Sequence, residues 1–331
     1  MLTHNSVSRR SFLAGTAALA ALSAVSLSGC GSSSPSVKIG TMPTEDILPM
    51  WVAEKEGLFD KHGVQAEIVI FDSAQNLSAA ITAKEVDLAM TDPMRAVKLC
   101  ESGSELSMEW ITLGTTPEQG RFGVLTSADS GIESLEDLVG CEQGVGVAAN
   151  TVPEYVFDML CEQAGVDVAK VKASEVPSLP DRYSLVAAGK LDAAALPGSM
   201  LALGQASGLV LLADDTKGDN VSQSVMVARA DFKADNAAGI DAVRAAWDEA
   251  ADLINANPES YRALLAEKAN LNEVVVDTYP ISEYPHATTE AGASAYPPAE
   301  LIEPQIAWMK KKGYTEKDVS YNEGDGTFAI A

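Results

Sequence analysis

The sequence predicts an α/β protein made of two similar lobes with a cleft between them. From Val37 onward, short apolar runs typical of strands alternate with segments of helical spacing. One such unit recurs, because residues 81–87 can be aligned with residues 186–192. With 331 residues, the chain is also long enough to divide into more than one hydrophobic core.

The elements of each lobe follow in the same order: strand, helix, strand, helix, strand. In the first lobe we predict them at residues 37–40, 47–59, 66–71, 77–84 and 87–90. In the second lobe we predict them at residues 144–148, 151–164, 172–176, 182–188 and 192–196. A proline-containing loop follows the third strand each time, at Thr91-Asp92-Pro93 and at Pro197-Gly198-Ser199.

Two segments are expected to cross between the lobes. Strands at 108–113 and 122–126 flank the first crossover, and strands at 209–212 and 225–228 flank the second. Lobe 2 (123–221) would thus be inserted into lobe 1, which would comprise residues 37–122 and 222–331. The rest of lobe 1 is expected to contain three helices, at residues 242–254, 258–268 and 303–312. An ordered loop is expected at residues 279–298.

The N-terminus has the pattern of an export signal. Ser8-Arg9-Arg10-Ser11-Phe12-Leu13 is a twin-arginine pattern, and the apolar run that ends at Leu27 is too short for a membrane span. Leu27-Ser28-Gly29-Cys30 resembles the lipobox of bacterial lipoproteins. We therefore expect a signal peptide at 1–29, a lipid on Cys30 and a flexible tether at 30–36. The protein would be exported and anchored on the outer face of the cell membrane.

The charge balance excludes some partners. The net charge is −24 at pH 7, and removal of residues 1–29 takes away two arginines and no acid. Nucleic acid is therefore not an expected partner, because phosphate contacts require Lys and Arg. Besides Cys30, the chain has three cysteines, Cys100, Cys141 and Cys161. This odd number does not indicate a set of disulfides, and we expect buried free thiols; a Cys141–Cys161 disulfide is the alternative.

Several segments together resemble a known family. They are residues 51–59 (Trp-Val-Ala-Glu-Lys-Glu-Gly-Leu-Phe), residues 83–89 (Ala-Lys-Glu-Val-Asp-Leu-Ala) and residues 131–140, which would open the second lobe. This combination resembles the nitrate/sulfonate/taurine type of ABC substrate-binding protein, whose relatives include binders of thiamine precursors. The resemblance covers residues 37 to about 265.

That resemblance implies a type II periplasmic-binding-protein fold that closes on one small solute by hinge motion. The implied partners are an ABC permease and its ATPase, and a monomer is expected. The implied solute is an anion such as a sulfonate, taurine or nitrate, or a pyrimidine such as a thiamine precursor. The yeast-type pyrimidine synthases among the relatives carry a cysteine-rich motif that this chain lacks, which argues against an enzyme.

Ligand-binding candidates in lobe 1 come from loops at the carboxyl ends of strands, where open α/β sheets bind ligands. They are Thr41, Thr44, Thr91 and Asp92. The alternative to ligand binding is a cap on the first helix for Thr44 and a simple turn for Asp92.

The crossovers supply further candidates: Thr115, Thr116, Arg121, Ser222 and Gln223. Two roles are predicted for Arg121. Its guanidinium either donates two hydrogen bonds to an acidic group of the ligand or forms an ion pair with Glu118 or another acid, and the ion pair is slightly favoured.

In lobe 2 the candidates are Asn150 and Thr151 at a helix start, and Pro197, Gly198 and Ser199 after the third strand. A helix N-terminus suits an anionic group, with helix capping as the alternative for Asn150. Trp51 and Tyr155 are possible ring-stacking residues, and core packing is favoured for Trp51.

Signals of catalysis are weak. Only His62 and His286 follow the signal peptide, no metal-binding spacing is present, and neither a nucleophile elbow nor a phosphate loop occurs. No cofactor or metal is expected. The alternative to an importer subunit is an enzyme or a ligand sensor on the same two-lobed scaffold. Arg121 favours an anionic solute, whereas Glu45, Asp46 and Asp92 favour an amine or a thiamine-like cation.

Overall fold

The computed structural model describes residues 34–331, and all structural statements concern that part of the chain. The predicted signal peptide at 1–29 and the predicted lipidation of Cys30 lie outside the described residues, as does most of the tether at 30–36.

The elements alternate as the pattern predicts. The strands are β1 Ser36–Thr41, β2 Gln65–Ile70, β3 Leu88–Thr91, β4 Leu106–Leu113, β5 Phe122–Thr126, β6 Val145–Val147, β7 Ala173–Glu175, β8 Ala193–Pro197, β9 Val210–Asp214, β10 Ser224–Arg229, β11 Val319–Asn322 and β12 Thr327–Ile330. The α-helices are α1 Leu48–Lys55, α2 Leu58–Lys61, α3 Ala74–Thr82, α4 Pro93–Glu101, α5 Val152–Gln163, α6 Leu179–Ala187, α7 Gly198–Ala206, α8 Ala230–Ala256, α9 Arg262–Lys268 and α10 Ala299–Lys312.

The strands form two separate sheets, which confirms the predicted α/β fold. The first sheet has seven strands in the order β11-β12-β4-β10-β3-β1-β2, and the second has five in the order β7-β6-β8-β5-β9. We refer to the parts built on these sheets as lobe 1 and lobe 2. The chain passes between them at residues 114–121 and again at residues 215–223. These two segments are the first and second crossovers.

The recurrence seen in the sequence has a structural basis in two equivalent aspartates. Asp87 accepts a hydrogen bond from the backbone N–H of Lys38, 2.9 Å away, and so ties the start of β3 to the neighbouring β1. Asp192 accepts from the backbone N–H of Gln143 at 2.7 Å, and ties the start of β8 to β6 in the same way. In both lobes, the carboxylate satisfies backbone donors where a parallel pair of strands begins.

Two predicted loops are in fact helix starts. Asp92 is the N-cap of α4, with Pro93 at its beginning, and Gly198 begins α7 directly after Pro197. A proline after an Asx residue is typical of a turn, but it is also typical of the first turn of a helix. The C-terminal hairpin of β11 and β12 was not predicted either, although Gly324 and Gly326 mark its turn.

The core lies on both faces of each sheet. Three tryptophans are buried in lobe 1: Trp51 of α1, Trp110 of β4 and Trp247 of α8. This confirms that Trp51 is a core residue. Tyr155 is also buried, against Trp308, and does not face the cleft. The helix predicted at 242–254 is the second part of α8, which has non-helical backbone angles at Asn236.

The three cysteines of the described chain are free thiols, so the Cys141–Cys161 disulfide does not form. Only Cys161 is buried, and Cys100 and Cys141 are partly exposed. Across residues 34–331, every helix is too short or too polar to cross a lipid bilayer.

Candidate functional site

A cavity of about 230 Å³ lies between the two lobes. Its walls are the segments that follow β1, β3, β6 and β8, together with parts of both crossovers. The carboxyl ends of parallel strands are where open α/β sheets bind ligands. Because residues of both lobes line the same cavity, the position of one lobe relative to the other controls its shape.

One wall of the cavity is acidic. Glu45 and Asp46 lie in a single helical turn after β1, and both line the cavity. Tyr279 donates its hydroxyl to Glu45 Oε1 at 2.6 Å, and Ser224 donates its hydroxyl to Asp46. Burial, and then the negative charge of Asp46, raise the pKa of Glu45. This wall therefore favours a ligand group that donates hydrogen bonds or carries positive charge.

Asp92 combines a structural role with a place in the cavity wall. Its Oδ1 accepts from the backbone N–H of Arg95 at 2.8 Å and caps α4, and Asp92 and Arg95 both line the cavity. Burial raises the pKa of Asp92, and the guanidinium of Arg95 opposes that effect. The turn alternative is therefore replaced by a helix cap that also faces the cleft.

Arg121 lies at the end of the first crossover, where it lines the cavity. Its guanidinium donates to the backbone oxygen of Gly120 at 2.7 Å and to Ser282 Oγ at 2.5 Å. The expected ion pair with Glu118 is wrong, because Arg121 reaches only the backbone oxygen of that residue, at 3.4 Å. Its Nε is buried and makes no hydrogen bond within residues 34–331. A buried donor without a partner is uncommon in folded proteins.

Thr44 provides a second buried polar atom without a partner. It occupies the position before the helical turn at 45–47, but its side chain makes no capping hydrogen bond. Its Oγ1 is buried and makes no hydrogen bond among the described residues, and the residue lines the cavity. The capping alternative therefore fails for Thr44.

Lobe 2 presents the start of α5 to the cavity through Thr151, Val152 and Pro153. The Thr151 hydroxyl donates to the backbone oxygen of Ala148 at 2.7 Å and does not cap the helix. Asn150 has a left-handed backbone with φ of 56°, precedes the N-cap position and lies outside the cavity wall. Asn150 is therefore not the helix cap.

The second crossover contributes Ser222 and Gln223 to the cavity wall. Both are buried, and both side chains are engaged within the protein. Ser222 donates to Asp215 Oδ2 at 2.6 Å, and Gln223 Oε1 accepts from Gln305 at 2.6 Å. These bonds fix the crossover beside the cavity.

The other predicted residues divide into two groups. Thr91, Pro197 and Gly198 line the cavity, whereas Thr41 and Ser199 do not. Thr41 is fully buried and donates its hydroxyl to the backbone oxygen of Met42 at 2.9 Å. Thr115 and Thr116 are exposed and line a separate cavity that shares Gln119 and Arg121 with the first.

Sequence reasoning missed the apolar wall of the cavity. Its members have the composition of core residues, and only their nearness to strand ends or helix starts distinguishes them: Met42, Leu77, Met90, Leu113, Phe122, Val152 and Leu179. Arg95 and Gln119 were missed as polar members of the wall. No group of metal-ligating side chains occurs among residues 34–331.

Two α/β lobes with a cavity between them at the carboxyl ends of their strands have the periplasmic-binding-protein fold. The periplasmic aliphatic sulphonate binding protein SsuA from Escherichia coli has this fold, with a TM-score of 0.70 and 19% identity over 85% of this chain and 88% of SsuA. The periplasmic nitrate-binding protein NrtA from Synechocystis has a TM-score of 0.64 and 11% identity over 85% of this chain and 82% of NrtA.

The chain belongs to the NMT1/THI5 like family, whose model matches residues 44–261. A Brucella abortus protein, named only as a candidate binding protein, is 27% identical over 80% of this chain and 81% of its own length. The expected relationship to nitrate and sulfonate binders of ABC systems and the periplasmic-binding-protein fold are thus confirmed.

Proposed function

We propose that this protein is the extracytoplasmic solute-binding subunit of an ABC importer. The observation that carries the proposal is the cavity lined by both lobes at their strand ends. A ligand held there contacts lobe 1 and lobe 2 at once, so its binding favours the arrangement in which the lobes meet. The closed form then docks on a permease, whose ATPase drives release of the solute into the cell.

The hinge of this motion is proposed to be the pair of crossovers, residues 114–121 and 215–223. They lie side by side, because Asp215 of the second crossover accepts from the backbone N–H of Phe122, directly after the first, at 2.8 Å. Two adjacent chain segments form an axis about which each lobe can rotate as a rigid body. The predicted lobes, 37–122 with 222–331 and 123–221, are the moving bodies of this proposal.

The cavity supports a small organic solute with an apolar body and polar ends. About 230 Å³ is below the volume of a typical drug-sized site. Glu45 and Asp46 suit an amine or a pyrimidine nitrogen, whereas the free Nε of Arg121 suits a sulfonate or carboxylate oxygen. Aminosulfonates and aminopyrimidines both combine an accepting with a donating group. The ligand is proposed to be bound and released unchanged, without a catalytic step.

The membrane association is proposed from the sequence. Lipid on Cys30 and the tether that follows would hold a monomeric receptor close to its permease. Labelling of cells with a radioactive fatty acid tests this. The wild-type protein and Cys141→Ala should take up the label, and Cys30→Ala should not. Label on the Cys30→Ala protein would overturn the proposed anchor.

Thermal unfolding of the purified protein against a panel of solutes tests the receptor proposal. The panel contains alkanesulfonates, taurine, nitrate, carboxylates, amines and aminopyrimidines. A solute at 100 times its Kd should raise the free energy of unfolding by about 2.7 kcal/mol, which raises the Tm by several degrees. The compound should be recovered chemically unchanged, and turnover of a bound compound would favour the enzyme alternative.

Two variants then assign the ends of the ligand. Glu45→Gln should weaken binding of a solute with a donating nitrogen and leave a simple alkanesulfonate unaffected. Arg121→Met should have the opposite pattern. If neither variant changes the affinity for any compound that binds, the interlobe cavity is not the binding site.

A further inference from the structure

A cluster of polar and aromatic side chains joins the lobes at a place other than the crossovers. On lobe 2, Glu154 and Asp158 lie on α5. On lobe 1, Trp308 and Lys312 lie on α10, and Tyr314 follows directly after that helix. We call these five residues the α5–α10 clamp. α10 belongs to lobe 1 because it packs on α4 and β11.

The clamp satisfies both carboxylates from the opposite lobe. Lys312 Nζ lies 2.9 Å from Glu154 Oε1 and 3.0 Å from Asp158 Oδ2. Trp308 donates its indole N–H to Asp158 at 2.9 Å, and the Tyr314 hydroxyl donates to Glu154 at 2.8 Å. Each carboxylate side chain is only 7% exposed. Acids this buried depend on their partners, because an unpaired buried charge is strongly unfavourable.

The clamp continues directly to the cavity. Glu154 Oε2 also accepts from the backbone N–H of Asn150 at 2.7 Å. This bond bridges residues 151–153, which line the cavity. Asn150 has a left-handed backbone, which asparagine adopts more readily than most residues other than glycine, and Glu154 adds a hydrogen bond to its N–H. Lobe 1 therefore fixes, through Glu154, the part of lobe 2 that faces a ligand.

We propose that Lys312, Tyr314 and Glu154 are positioning residues, which hold the start of α5 against the cavity although none of them lines it. The clamp acts as a third, non-covalent connection between the lobes. The proposal rests on the proposed function only for the premise that the cavity binds a solute. Its test needs no solute, so its failure is distinct from a failure of the solute panel.

Hydrogen exchange of the ligand-free protein, followed by mass spectrometry, tests the clamp. Lys312→Met should accelerate exchange of the amides of Ala149 and Asn150 about tenfold, since two buried acids lose their counter-ion. Tyr314→Phe should accelerate it about threefold through the loss of one hydrogen bond. Lys312→Arg should restore slow exchange. The matched control is Lys310→Met on the same helix, because Lys310 pairs with Asp318 inside lobe 1 and should leave these amides unchanged.

A second comparison separates positioning from general stability. If Lys312→Met lowers the urea midpoint but exchange at Ala149 and Asn150 rises no more than exchange within α5, the cluster is only structural and the proposal is overturned. Glu154→Gln combined with Lys312→Met should exchange more slowly than Lys312→Met alone, because one of the two unpaired charges is gone and only Asp158 remains. Strictly additive effects of the two changes would likewise contradict the clamp.

Discussion

Replacing Asp215 with asparagine tests the contact between the two crossovers. Asp215 is 1% exposed, and its two carboxylate oxygens accept from the backbone N–H of Phe122 and from the hydroxyl of Ser222. Burial raises the pKa of Asp215 to about 6. An asparagine has the same shape; its oxygen can accept from Phe122 and its amide can donate to Ser222 Oγ. The substitution thus removes the titration and keeps the contact.

The magnitude follows from the pKa. Because the folded-state value of about 6 lies above the ordinary 3.8, the folded chain binds this proton more tightly than the unfolded chain. The stability that protonation contributes is complete below pH 3.8 and is lost as the pH rises through 6. At about 1.4 kcal/mol per pKa unit, the loss amounts to about 3 kcal/mol. The asparagine variant should not undergo this loss.

Urea unfolding followed by tryptophan fluorescence measures the effect. We expect the free energy of unfolding of Asp215→Asn, relative to wild type, to rise by about 2–3 kcal/mol between pH 4 and pH 8. Asp215→Ala is the control, because it leaves Phe122 N–H and Ser222 without their acceptor and should lose about 1–3 kcal/mol relative to Asp215→Asn at every pH. A difference between wild type and Asp215→Asn that does not change with pH would refute the reasoning.

Three further substitutions test steric, polar and ionic contacts. Gly120→Ala should lower the free energy of unfolding by about 1–3 kcal/mol, because its methyl group would lie 2.4 Å from the backbone oxygen of Asp215; unchanged urea unfolding would contradict this. Thr44→Val should raise the ligand-free Tm, because its buried hydroxyl has no partner within the described chain and such a group is unfavourable; a lower Tm in thermal unfolding would contradict this. Glu109→Gln should cost about 3–5 kcal/mol, because it removes the ion pair with Lys233 and leaves the buried Arg244 with only the exposed Asp241 as an ionic partner; a variant as stable as wild type would show that the ion pairs of Glu109 are dispensable.

The fold was predictable because the spacing of apolar residues that marks each strand and helix is a local property of the sequence. Strand β5 matches its prediction at residues 122–126, and Asp87 and Asp192 mark equivalent strand starts in the two lobes. The starts of α4 and α7 were missed because Pro93 and Pro197 favour a turn and a first helical turn alike. Local sequence does not distinguish these cases; the packing of the following helix does.

The cavity was predictable only in part, for a different reason. Strand ends identify which loops approach the cleft, and Thr44, Asp92, Thr151 and Gly198 do line it. Whether a side chain points inward depends on the geometry of the whole lobe, and so Thr41 points into the core. The apolar wall had no signal of its own, because a residue that packs on a ligand has the same composition as one that packs on the core.

The insertion of lobe 2 imposes an order on folding. Strand β10 lies between β3 and β4, so that Met226 pairs with Met90 and with Trp110 across the whole of the inserted lobe. Lobe 2 is a continuous stretch and has all strands of its sheet by residue 214. The sheet of lobe 1 also needs β10, which ends at residue 229, and β11 and β12, which end at residue 330. Pairing between such distant segments is slow, because a long loop must close before the contacts form. During synthesis the inserted lobe has its complete sheet first, and the ligand cavity arises only when the later strand joins the earlier ones.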